Sequence, residues 1–393
     1  MSDSVAMVWS EDFLSYQLAE DHPLHPVRLA LTVELAETFG LFDDPRLTMV
    51  TPVPAGDDLL RLVHTAGYLD AVRAAPVGAT DPRHGLGPPD NPVFAGMHEA
   101  AALIVGGSVR AAELVWSGRA QHAVNIAGGL HHAMPDRAAG FCVYNDPAVA
   151  IAWLLAHGAE RVAYVDVDVH HGDGVQHAFY ADPRVLTVSL HQDPLTLFPG
   201  TGLPQETGSG AAEGTAVNVA LPPGTGDAGW LRAFHAVVPS VLRAFHPQVL
   251  VTQCGCDSHR DDPIADLALT VDGQRAGYAA LHRLAHELCE GRWVVLGGGG
   301  YGLVRCVPRA WTHLIAEVSG TPIEPATAIP AAWVDRVRAR GYPVPAPTRM
   351  TDGGTAEYQP WQPGESSAVD TAIAATRRAI FPLHGLDPDD PRD

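Results

Sequence analysis

Positive charge, cysteine and long apolar runs are all scarce in this chain. Of its 393 residues, 25 are Lys or Arg against 45 Asp or Glu, a formal net charge of -20. That balance argues against nucleic acid or an anionic membrane surface as the main partner. There are five cysteines, Cys142, Cys254, Cys256, Cys289 and Cys306, an odd number at irregular spacing. They suggest no disulfide framework; free thiols in a reducing cytoplasm are the natural expectation. Cys254 and Cys256 are too close for a zinc knuckle and no second pair accompanies them, so buried structural thiols are expected. No apolar stretch reaches the roughly 18 residues that a membrane-spanning helix needs. The opening MSDSVAMVWSEDF carries acids where a secretory leader has a basic segment and an apolar run, so no leader is expected. No internal repeat is visible.

What the chain does have is the composition of a protein with a substantial core: 46% hydrophobic and 18% charged residues. Strand patterns fall at residues 123–126, 161–169, 185–190, 216–221, 249–253 and 293–296, and helical patterns at 146–157, 228–245, 273–290 and 303–318. Alternation at this pace predicts an α/β fold: a single three-layer domain with a mostly parallel central sheet and helices on both faces. The catalytic domain is expected to span residues 1–320. The Pro- and Ala-rich stretch 321–393, with little periodicity before 367–380, reads as an extension wrapping the same domain. In such sheets functional groups gather at the carboxyl ends of the strands.

Four clusters sit at such ends. In VDVDVHHGD, Asp166, Asp168 and His170 occupy alternate positions, so a strand would turn all three to one face and the valines to the other. Burying two carboxylates costs several kcal/mol unless they are paired or hold a cation. Asp168 and His170 offer donors suited to Zn²⁺ or Fe²⁺, while Asp166 and Asp173 could orient histidines. His171, on the valine side, reads as structural. A second cluster, GGLHHA, presents His131 and His132 in a glycine-flanked turn; in a chain with 20 histidines that pair is weak evidence alone. A third, CGCDSHRDDP, adds Asp257, which would complete a three-ligand catalytic site with Asp168 and His170. The fourth, LGGGGYG, lacks the Lys-Ser/Thr of a phosphate loop and the GxGxxG pattern, and reads as a device for placing the Tyr301 phenol in a cleft.

These motifs, with GFCVYND and SLH…FPGTG between them, occur in an order that resembles the metal-dependent histone deacetylase family of arginase-like fold. The resemblance covers residues 8–318 and is nearest to the bacterial acetoin utilization (AcuC-type) deacetylases. It implies NAD-independent hydrolysis of acetyl-lysine on proteins, with acetylated metabolic enzymes such as an acetyl-CoA synthetase as targets. It implies a metal, Zn²⁺ or Fe²⁺, on Asp168, His170 and Asp257. His131 would be supported by Asp166. His132, supported by Asp173, would act as general base and then acid. Tyr301 would bond the substrate carbonyl. Gly140, Phe141 and Phe198 would wall a narrow acyl-lysine tunnel, and Arg28 would line an internal channel for acetate. The backbone carbonyls of Asp166, Asp168 and His170, with Ser189 and Leu190, would hold a structural K⁺.

One position departs from the pattern. Ala95 stands where eukaryotic members carry an aspartate that clasps the substrate backbone. A folded protein or a smaller acylated amine, such as an acetylpolyamine, therefore remains a competing substrate class. A binuclear ureohydrolase of the same fold would need two adjacent metals and more carboxylate ligands.

Overall fold

The computed structural model describes residues 4–342, 347–364 and 366–393. Eight strands form one sheet: β1 (Val5–Val8), β2 (Leu47–Val50), β3 (His122–Asn125), β4 (Val162–Asp166), β5 (Val185–Gln192), β6 (Ala216–Leu221), β7 (Val249–Gln253) and β8 (Trp293–Leu296). Their order is β2-β1-β3-β8-β7-β4-β5-β6, and every pairing is parallel. The helices are α1 (Val27–Thr38), α2 (Asp57–Leu60), α3 (Ala66–Ala74), α4 (Met97–Trp116), α5 (Asp146–Ala156), α6 (Asp173–Phe179), α7 (Asp227–Phe245), α8 (Val271–Cys289), α9 (Val307–Val318), α10 (Ala331–Ala339) and α11 (Ala368–Ile380). One layer is built on the packed pair α4 and α5, the other on the chain of neighbours α1, α9, α8, α7 and α11. None of the described helices is long and apolar enough to cross a membrane.

Strands buried on both faces read as continuous apolar runs, as WVVL and the first three residues of VLVTQ do here. The run expected over 161–169 stops as a strand at Asp166. The reason is local. Asp166 Oδ1 accepts the Asp168 N–H at 3.1 Å, and Asp168 Oδ1 accepts the His170 N–H at 3.0 Å. Side chains take these backbone donors, so the ladder ends while the carboxylates still point one way. β1, β2, α1, α2, α3, α4 and α6 escape the sequence reading. α2 and α6 span only four and seven residues, and α4 is apolar almost all round, which blurs helical periodicity.

Two helices of the C-terminal stretch pack on the rest of the chain. α10, also absent from the sequence reading, lies on α1 in a small satellite core of Leu31, Leu35, Trp333, Val337 and Met350, and Trp333 Nε1 donates to the Leu31 carbonyl at 2.9 Å. α11 lies against α7 and β6, where Thr376 Oγ1 donates to the Asn218 carbonyl at 2.6 Å. Residues 343–346 and 365 of this stretch lie outside the described residues. All five cysteines are buried and unpaired.

Candidate active site

The four motif loops leave the carboxyl ends of β3, β8, β7 and β4, which are consecutive neighbours in the sheet. This adjacency turns residues scattered from 131 to 301 into one cluster. Asp168, His170 and Asp257 are buried, and their donor atoms lie within 4.8 Å of one another. His170 Nδ1 is 3.1 Å from Asp168 Oδ1 and 3.2 Å from Asp257 Oδ2. Two buried carboxylates face one imidazole, which leaves the set one negative charge over if that ring is protonated. Burial, then the charge of Asp168, pushes the Asp257 carboxyl up to about 7. A dication fits this donor set better than protons do.

Backbone and side-chain donors hold the carboxylates in place. Asp168 Oδ2 accepts from Gly299 N and from Gln253 Nε2, each at 2.7 Å, and Asp257 Oδ1 accepts from Val169 N at 2.9 Å. A Cβ on Gly299 would collide with the Asp257 carboxylate, which accounts for a glycine there. The glycine run is pinned from below by Arg28, buried, whose Nη1 donates to the carbonyls of Gly298 at 2.8 Å and Gly300 at 3.0 Å. Its guanidinium lies 5.0 Å from the Trp311 ring.

Beside the Asp–His–Asp set lie the two tandem histidines. His131 Nδ1 contacts Asp166 Oδ2 at 2.7 Å, His132 Nδ1 contacts Asp173 Oδ1 at 2.6 Å, and their Nε2 atoms are 3.0 Å apart. Their environments divide them. Burial opposes charge on both rings. At His131 the nearby Asp166 and Asp168 overcome it, raising the ring to about 9. At His132 burial and the neighbouring His131 prevail over Asp173, lowering it to about 4. The pair thus offers a charged ring next to a neutral one that can accept a proton.

Tyr301 ends the glycine run and is 8% exposed. Its N–H is fixed by Asp262 Oδ2 at 2.9 Å, and burial holds its phenol well above the usual value, hence protonated. Its ring meets Phe141 edge-on at 5.6 Å. Phe198, 46% exposed, stands over His132 at 5.0 Å and His170 at 6.5 Å. Gly140 adopts φ +50°, and a Cβ there would run into the His132 ring. Ser189 and Leu190 lie on β5, with Ser189 paired in register to Asp166 of β4. His171 sits apart from the cluster, between Thr201 Oγ1 at 2.9 Å and Gln176 Oε1 at 3.1 Å. Ala95 is exposed, two residues before α4.

Several supports went unread in the sequence. Tyr164 OH donates to Asp166 Oδ2 at 2.6 Å. Asp146 accepts from the N–H groups of Gly129 and Leu130, and Asn145 Nδ2 donates to the carbonyls of His131 and Ala133. His64 Nε2 in turn accepts the Asn145 N–H at 3.0 Å. The available signal was a buried Asn-Asp pair opening an apolar helix, and a glutamine closing an apolar strand.

The comparisons agree with this geometry. The Histone deacetylase domain family matches residues 22–318. The Acetoin utilization protein AcuC of Bacillus subtilis (strain 168) is 40% identical over 387 residues, 98% of each chain. The protein of that name from Staphylococcus aureus (strain MSSA476) is 37% identical, across 85% of this chain and 86% of its own. A crystal structure of an HDAC homologue complexed with SAHA superposes with a TM-score of 0.80 at 30% identity, covering 96% of this chain and 100% of that one. An HDAC homologue from Aquifex aeolicus gives the same TM-score at 29% identity. The chain belongs to the histone deacetylase family and is a hydrolase of acetyl-amide bonds.

Proposed function

We propose that this protein removes the acetyl group from Nε-acetyl-lysine on proteins, without NAD, in the manner of the AcuC-type deacetylases it resembles. The observation that carries the reading is the convergence of Asp168, His170 and Asp257 beside two histidines, each backed by its own carboxylate. In this reading those three residues hold Zn²⁺ or Fe²⁺, which supplies a Lewis acid and an acidified water. His132 accepts the water proton at Nε2 and returns it to the leaving amine, while Asp173 steadies its Nδ1–H. His131 and Asp166 supply a fixed positive ring beside the developing charge. Tyr301 donates its O–H to the substrate carbonyl oxygen, the kind of contact worth roughly 3–4 kcal/mol in the transition state. Phe141 and Phe198 flank the lysine methylenes, with Gly140 leaving room between them. Arg28 lines the acetate path behind the glycine run. The carbonyls of Asp166, Asp168 and His170, with Ser189 and Leu190, hold K⁺. Residues 1–320 form the catalytic domain, 321–393 wrap it, and the protein works in the cytoplasm on metabolic enzymes such as an acetyl-CoA synthetase.

The test is acetate release from acetyl-lysine peptides by the Zn²⁺-loaded chain, abolished by a hydroxamate or a chelator. The chain contains no lysine, so its own side chains cannot contribute acetyl-lysine to the count. No release from any acylated lysine overturns the reading. A second reading keeps the chemistry and changes the substrate. The exposed Ala95, two residues before α4, offers no carboxylate at that position to grip an extended peptide. A faster rate on acetylputrescine than on peptides would select a small-amine amidohydrolase.

A further inference from the structure

A second histidine cluster lies at the opposite end of the sheet. His122 is the first residue of β3, at the amino end, whereas the β3 carboxyl end leads to His131. His282 and His286 are four apart on α8, so they share one helix face. The nitrogen donors of all three lie within 4.8 Å of one another. His282 Nε2 is 3.2 Å from His122 Nε2 and 3.0 Å from His286 Nε2.

A ring nitrogen of a neutral imidazole has one in-plane hydrogen or one in-plane lone pair, never both. His282 Nε2 faces two ring nitrogens and can make a well-directed bond with only one. Three imidazole nitrogens this close to one another suit a shared cation. With Zn–N near 2.0–2.1 Å, two ligands of a tetrahedral site stand about 3.3 Å apart, close to the 3.0 and 3.2 Å found here.

The rings are also braced. Trp293, the register partner of His122 on β8, stacks on His282 at 5.4 Å and 23° and meets His122 edge-on at 5.7 Å. Burial is graded: His122 is buried, His282 intermediate and His286 exposed. One side of the trio therefore opens to solvent, so an ion can enter and a water can fill a remaining coordination position. The net charge of -20 favours cation approach.

We propose that His122, His282 and His286 form a second transition-metal site, taking a Zn²⁺-class dication and clamping α8 to the amino end of β3. The all-imidazole set suits Zn²⁺, Ni²⁺, Co²⁺ or Cu²⁺ and disfavours Mg²⁺ or Ca²⁺. Its role is structural, since it lies at the end of the sheet remote from the reacting groups.

The test counts ions in the full-length chain without an affinity tag. The protein is stripped with chelator, equilibrated with Zn²⁺, gel-filtered and measured by elemental analysis. Two zinc ions per chain are expected in the wild type, one in His282→Gln, one in Asp257→Ala and none in the double variant. Zn²⁺ should raise the Tm of Asp257→Ala and leave that of the double variant unmoved. His286→Gln, on the exposed ring, serves as the second probe should His282→Gln fold poorly; it should retain one ion. No ion retained in a folded Asp257→Ala, or an ion count unchanged from the wild type in a folded His282→Gln or His286→Gln, overturns the site. The Asp257→Ala arm keeps this result separate from the catalytic reading. A binuclear centre at the carboxyl ends would lose both ions there.

Discussion

The two ends of the sheet treat histidine in opposite ways. At the carboxyl ends, His131, His132 and His170 are buried against Asp166, Asp173, Asp168 and Asp257. At the amino end, His122, His282 and His286 meet one another and the face of Trp293. Burial opposes charge on both rings; at His131 Asp166 and Asp168 overcome it and raise the ring to about 9, whereas at His132 burial and the neighbouring His131 prevail and lower it to about 4. The amino-end trio offers three imidazole nitrogens within 4.8 Å of one another, the donor type that suits a structural ion. Chemistry at one end and clamping at the other follow from which partners the rings have, not from how many rings there are.

That contrast can be broken from either end. The largest effect is expected from Asp257→Asn, which removes one of two carboxylates facing His170; acetate release should fall to the uncatalysed background. His132→Ala should cost about 10²–10⁴-fold in kcat, the range for a lost general acid-base group. Tyr301→Phe should cost about 10²–10³-fold in kcat while leaving the zinc count unchanged. A structural role alone would give the opposite pattern in that assay.

A subtler effect lies behind the catalytic loop. Burial lowers His64 to about 4 from 6.5. Its neutral ring accepts from Asn145, which holds the carbonyls of His131 and Ala133. The unfolded chain binds this proton first. The stability term is therefore whole above pH 6.5 and is lost as pH falls toward 4, on the order of 3 kcal/mol when complete. Unfolding midpoints measured from pH 7 to 4.5 should drop, and His64→Gln should flatten that slope. The smallest effect is expected at the amino end, where His286→Gln should leave the deacetylation rate at the wild-type value. A large rate loss there would erase the distinction between the two ends.

The carboxyl-end cluster was largely readable because its signals are local. Asp166, Asp168 and His170 share a face by strand alternation, and carboxylates between valines demand compensation. Six strands, β3 to β8, could be placed from their patterns, with β4 expected to run three residues beyond its end at Asp166. The supporting shell was not readable. Gln253 reads as a strand terminus, Tyr164 as part of a strand and Asn145 and Asp146 as part of a motif; the Gln253 partner Asp168 lies 85 residues away, and the bonds of Tyr164 and Asn145, to partners 2 and 14 residues away, depend on side-chain directions that strand and helix patterns do not give. The histidine trio was silent for the same reason. His282 and His286 show only helical spacing, and His122 is 160 residues from His282.

Sequence alone determined the chemistry available to this protein: two carboxylates and an imidazole on one buried face, a tandem histidine, and a glycine run delivering a phenol. Tertiary structure alone decided how these were dealt out. The strand order sets β3, β8, β7 and β4 side by side, and that order brings His131 to Asp166, Asp257 to His170 and Gly299 to Asp168. The same order brings His282 and His286, late in α8, to His122 at the amino end of β3. The physical reason is that alternation and side-chain-to-backbone bonds act over two residues, whereas pairing in a parallel sheet is fixed by burial of whole crossover units.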